Sequence, residues 1–163
     1  MLIRLFSYIT VGEYMKIERL DDKNYFIFLN IMYLNDIQIN KEDIIRVVSE
    51  FLKKIKNKLL LNGFYKVKVY LEKCIGLFLD LIQIEDSDYY NYVDFRIVVY
   101  LDEKIYFRTK DYFLLPRNCS IYYFQDYFYC DVSDIDNILS VIEFGDFIYG
   151  ANLYSVMYQW KKC

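Results

Sequence analysis

The sequence predicts an α+β protein: antiparallel β-hairpins with a long helix packed across one face, then a second β-hairpin half ending in short helices. Three observations lead there. Apolar residues recur at helical spacing between residues 41 and 60, on one face. Several short segments alternate apolar and polar residues between polar turns. The 163 residues, 56% hydrophobic with one proline, can bury a core and are too apolar to stay disordered.

The opening Met1-Leu2-Ile3-Arg4-Leu5-Phe6 is apolar, but Glu13 follows soon and no small-residue cleavage site accompanies it. Met15-Lys16-Ile17-Glu18-Arg19 reads as a beginning, so residues 1–14 are expected to be a non-core extension. Ile17 to Leu20 then forms a short strand, and Asp21-Asp22-Lys23-Asn24 turns it into a longer one, Tyr25 to Leu34. The helix follows from about Lys41 to Leu60. Asn40 is its N-cap, with Asp43 three residues on, and Ile44, Val47, Val48, Phe51, Leu52, Ile55 and Leu59 mark the buried stripe. Asn62-Gly63 supplies a left-handed stop.

Val67, Val69 and Leu71 alternate with Lys66 and Lys68, and Leu77 to Leu81 returns after a turn near Glu72 to Gly76. Residues 15–84 thus read as a ββαββ half, and the acidic stretch 85–94 as a linker. Residues 95–163 read as a ββ-ββ-αα half. Its first hairpin is Phe95 to Leu101 with Ile105 to Thr109. Its second is Ile121 to Phe124 with Tyr127 to Val132, turning at Gln125-Asp126. Ser133 caps a helix striped by Ile135, Ile138, Leu139 and Ile142, which ends at Gly145. Leu153, Val156, Met157 and Trp160 mark a final short helix.

No histidine is present, so every Ser-His, Cys-His and His-metal arrangement is excluded. The four cysteines, Cys74, Cys119, Cys130 and Cys163, include no C-x-x-C pair and are expected as reduced, mostly packed thiols of a cytoplasmic protein. With Phe124 opposite Tyr127, Cys119 and Cys130 become diagonal neighbours about 7–8 Å apart, too far for a disulfide. The acids fall at turns and caps, and the glycines are isolated. Asp131, Asp134 and Asp136 lack the spacing of a calcium loop. No catalytic residue, metal ligand or cofactor site is therefore expected, and the chain is read as no enzyme.

A net charge of −3 argues against a phosphate-backbone partner, and no apolar run approaches the length of a membrane span. The 20% aromatic content can mark a stacking surface for bases or sugars, or a codon bias that raises Tyr, Phe, Ile, Asn and Lys together, so position has to carry any claim. The hairpin supplies one position. Its register puts Cys119, Ile121, Tyr123, Phe128, Cys130 and Val132 on a face that reads as core. Tyr122, Phe124, Tyr127 and Tyr129 fall on the other, the candidate surface for a protein partner. The alternative, that the following helix covers this face, stays open.

Two segments carry a resemblance. Met15-Lys16-Ile17-Glu18-Arg19-Leu20 is similar to the opening strand of the MecA-type adaptors, which feed substrates to a Clp-family ATPase. Ser120 to Phe124 and Tyr127 to Tyr129, then a helix closing in Glu143-Phe144-Gly145, resemble that family's C-terminal Tyr-rich hairpin, helix and Glu-Tyr-Gly segment. The element order is compatible over 15–163. The chain departs in its length, in an acidic linker reduced to Glu85–Asp88, and in the little room left for a helix between Thr109 and Cys119. No contact residue transfers. The resemblance implies an adaptor with a Clp ATPase and its substrates as partners. Two other function classes remain: a small single-strand nucleic-acid binder using sheet aromatics, and a carboxylate-dependent enzyme.

Overall fold

The computed structural model describes residues 8–9, 15–31, 40–85 and 92–163. It is α+β, with two mostly antiparallel sheets and, among the described residues, three α-helices. The chain divides into two compact units, Met1–Leu101 and Asp102–Cys163.

Among the described residues, the first unit holds six strands and one helix: β1 (Tyr8–Ile9), β2 (Met15–Arg19), β3 (Asn24–Asn30), α1 (Lys41–Ile55), β4 (Gly63–Glu72), β5 (Gly76–Glu85) and β6 (Val93–Tyr100). The sheet order is β1-β2-β3-β5-β4-β6. Of the expected extension, Tyr8–Ile9 pairs with β2 as an edge strand; the rest of it lies outside the described residues. So do positions 32–34 of the expected second strand and 86–91 of the expected linker.

The β2–β3 turn is held by Asp21, whose carboxylate accepts from the Lys23 backbone N–H and the Asn24 amide, each at 2.7 Å. These two donors, the backbone one foremost, hold the Asp21 carboxyl below its usual range.

Asn40 caps α1 through the Asp43 backbone N–H at 2.8 Å, as the sequence predicts. Ile44, Val48, Phe51, Leu52 and Ile55 are buried and share one core with the sheet. A rung across five strands, Ile17–Ile27–Leu79–Val69–Val99, lies in that core. Each such side chain contributes about 1.5–3 kcal/mol on full burial. The helix is shorter than expected, ending at Ile55 with Lys56 as its cap; Leu60 then takes positive φ, 54°, ahead of Gly63, which takes it as expected at 95°. The Leu61 N–H then donates to the Lys56 carbonyl at 2.9 Å, satisfying an orphan acceptor at the helix end.

The expected hairpin of 95–101 with 105–109 does not form. β6 runs parallel to β4, Val67 opposite Ile97 and Val69 opposite Val99. Its odd residues, Val93, Phe95, Ile97 and Val99, pack into the core that α1 shares. Burial of that alternating face outweighs a three-residue turn at 102–104. In consequence the acidic stretch lies inside the first unit, and the boundary between units follows Leu101.

The second unit is a five-stranded antiparallel sheet: β7 (Ile105–Thr109), β8 (Ile121–Phe124), β9 (Tyr127–Asp131), β10 (Asp146–Tyr149) and β11 (Lys161–Lys162), in the order β10-β7-β9-β8-β11. The β8–β9 register is the one expected, with Phe124 opposite Tyr127 and Tyr122 opposite Tyr129. Gln125 and Asp126 both have positive φ, 48° and 68°, as a two-residue hairpin turn with the right twist demands.

The helix expected after Ser133 breaks in two. Asp131, rather than Ser133, caps a 3-10 turn at Val132–Asp134. A four-residue α2 (Ile138–Val141) and another 3-10 turn, Ile142–Phe144, follow. Ile135 is extended between them, and its burial replaces the expected continuous stripe. β10 was not expected at all. It pairs with β7, Phe147 opposite Phe107, just after Gly145. α3 (Gly150–Met157) closes the unit with Leu153 buried. Among the described residues, no helix is long and apolar enough to cross a membrane.

Candidate functional site

The hairpin face holding Tyr122, Phe124, Tyr127 and Tyr129 is an inner face: of the two alternatives the sequence leaves open, a partner surface and a face covered by the following chain, the structure has the second. Tyr129 is 2% exposed and the other three are partly buried, all in one cluster with Tyr106, Ile148, Leu153 and Trp160. The cause lies downstream. α3 ends at Met157, the Trp160 N–H donates back to the Met157 carbonyl at 3.2 Å, and β11 then pairs with β8. That return lays the Trp160 ring over the sheet, 5.0 Å from Tyr122, 4.8 Å from Tyr129 and 4.9 Å from Tyr106. Ring pairs in this range add stabilisation beyond area burial. Burial, with Asp131 nearby, pushes the Tyr106 hydroxyl up to about 12. Towards the turn, Tyr127 lies under Arg108 at 4.9 Å and Lys110 at 5.3 Å, so charged stems shelter this end too.

The opposite side is buried at Ile121, Cys130 and Val132 and opens towards the turn. Tyr123 and Phe128, both expected in the core, are an exposed and a half-buried ring 5.2 Å apart. Phe128 meets Tyr112 at 5.3 Å, and Tyr112 meets Phe113 at 6.1 Å. Phe113 is 90% exposed. Asp111 sets this geometry: its carboxylate accepts from the Phe113 backbone N–H at 3.0 Å and caps the 3-10 turn Tyr112–Leu114. The turn buries Leu115 and leaves Phe113 projecting outward. Four rings therefore stand in a row, Phe113, Tyr112, Phe128 and Tyr123, and Tyr123 Oη donates to Asp126 at 3.2 Å. Sequence periodicity could not find this row, because half of it belongs to an irregular segment.

A second constellation sits at the start of β8 and the end of β9. All four cysteines are free thiols, and only Cys130 is packed in the core: Cys119 is half-buried, and Cys74 and Cys163 are exposed. Yet the Cys119 and Cys130 sulfurs lie 3.2 Å apart, far closer than diagonal strand positions would allow. Cys119 stands in the bend before β8, not in the strand, so its side chain swings towards Cys130. Burial, then the hydrogen bond with Cys119, push the Cys130 thiol up. The Asp134 carboxylate completes a group whose ligand atoms lie within 4.8 Å of one another. The spacing of these three groups was not anticipated by the sequence, where no metal ligand is expected.

Comparison with protein-family models, curated proteins and solved structures returns no match.

Proposed function

We propose that the chain is a non-enzymatic, cytoplasmic protein-interaction module, an adaptor that presents client proteins to a Clp-type ATPase. Its contact face is the row Phe113–Tyr112–Phe128–Tyr123. The observation that carries this reading is the row itself: four contiguous rings, with Phe113 left 90% exposed on a capped turn. Tyrosine and phenylalanine give large contact area at small entropic cost, and exposed apolar segments of client chains are their natural complement. The MecA-type resemblance of Met15–Leu20 and of the hairpin supports the adaptor role.

Charge favours a protein over nucleic acid. Residues 102–163 carry nine acidic and six basic side chains, a net of −3 around the row. A stacking surface for single strands requires a basic groove beside its aromatics.

The test uses the full chain, immobilised, with a Clp-family ATPase in the presence and absence of ATP and with unfolded casein as client. Phe113→Ser with Tyr123→Ser should weaken casein capture by about 30-fold, corresponding to the ~2 kcal/mol of aromatic hot spots. Both side chains are exposed, so stability should change by no more than about 0.5 kcal/mol per site. Unchanged capture by the double variant would rule out this face.

A further inference from the structure

We propose that Cys119, Cys130 and Asp134 form a zinc site with three protein ligands and one open position. The inference is independent of the adaptor reading. Two sulfurs 3.2 Å apart and a carboxylate within 4.8 Å of both converge from three segments: the bend before β8, the end of β9, and the 3-10 turn after it.

Two thiolates and one carboxylate select zinc over calcium or magnesium, which take oxygen ligands, and over copper(I), which takes soft ligands alone. Zinc–sulfur bonds near 2.3 Å in a tetrahedron place the two sulfurs about 3.8 Å apart. The observed separation needs to open by only about half an ångström, and Cys119 lies in a bend, free of strand pairing. Cys130 is fully buried, Cys119 half-buried and Asp134 exposed, so the ion enters from the Asp134 side and leaves its fourth position to water.

The surroundings support the site. The Asp131 carboxylate accepts from the Ser133 backbone N–H at 2.9 Å and the Ser133 hydroxyl at 2.8 Å, holding the turn that presents Asp134. Asp131 and Asp134 make the local field negative, which favours a dication. Binding is balanced by proton release: one zinc ion replaces the two thiol protons, which pass to solvent, and two zinc–sulfur bonds form. The Cys119 S–H donation to the Pro116 carbonyl, 3.1 Å, is given up in the process. The bound ion would tie the segment between Asp111 and Cys119, which carries Tyr112 and Phe113, to the β-hairpin.

Cobalt(II) is the probe, added to the full chain after chelator treatment and reduction, with four free thiols counted first. The expected result is one cobalt per chain, with thiolate-to-cobalt charge-transfer absorption and the intense visible bands of tetrahedral cobalt. Zinc should displace it, and two protons should be released per ion. Cys74→Ser with Cys163→Ser should leave the spectrum unchanged. Asp134→Asn should keep the charge-transfer band and weaken binding at least about tenfold, and Cys119→Ser should reduce the band as well. Cys119 is half-exposed, so this variant folds even if Cys130→Ser does not. Absence of a charge-transfer band, its survival undiminished in Cys119→Ser, or its loss with Cys74 and Cys163 would each overturn the proposal.

Discussion

Phe51→Ala is expected to cost about 3–5 kcal/mol of folding stability. Phe51 is 2% exposed and stands in the middle of the α1 stripe, between Val48 and Ile55, against the sheet core of the first unit. Truncation removes the apolar transfer free energy of the ring and leaves a cavity that neighbours on a helix and five strands fill only in part. Urea denaturation of the two proteins, with equal slopes, reads the difference as a shift in midpoint. A loss under about 1 kcal/mol would mean that the helix packs loosely.

Gly76→Ala is expected to be at least as severe, about 3 kcal/mol or more, although it adds one methyl group. Gly76 opens β5 at φ 148°, a conformation that residues with a Cβ rarely adopt. A Cβ there would run into the Leu29 carbonyl oxygen, and this is backbone, which cannot rotate aside. The clash falls where β3 meets β5, with Asn30 opposite Gly76 and the Ile31 N–H donating to the Ile75 carbonyl at 2.7 Å. Relief would require parting the two central strands of the sheet. A thermal or urea midpoint close to that of the unaltered chain would contradict this.

The parts of the fold that could be read from sequence are those whose cause is local. The Asn40 cap and the Ile44-to-Ile55 stripe concern neighbours three or four residues apart, and they define α1. The β8–β9 register follows from a two-residue turn that allows one pairing. By contrast, β6 beside β4 is a parallel pairing between distant segments, and nothing near Phe95 announces it. Leu60 takes positive φ ahead of Gly63, a conformation that no preference of leucine announces. Asp131 displaces Ser133 as a cap because β9 ends one residue earlier than alternation suggested.

The candidate site was legible in one respect. The strand register sorts Ile121 to Asp131 onto two faces as observed, and Ile121 and Cys130 are buried as expected; that Tyr123 is left exposed, and that the Tyr122 face is covered as well, is not decided by the register. That outcome is decided by Trp160, returned over Tyr122 and Tyr129 by α3 and β11. The open row likewise depends on Tyr112 and Phe113, placed by the Asp111 cap in a segment without periodicity. The thiol pair was missed because strand geometry was extended to Cys119, which lies in a bend.

Trp160 is the single tryptophan of the chain, so its fluorescence reports directly on which hairpin face is covered. Its ring is stacked on Tyr122 and tilted against Tyr129, and its indole nitrogen is buried. In the native protein, emission should be shifted to the blue of the urea-unfolded chain, and acrylamide should quench it several-fold more slowly. Phe113→Ser with Tyr123→Ser should leave both readings unchanged. Emission and quenching equal to those of the unfolded chain would show the Tyr122 face open to solvent and contradict the assignment of the two faces.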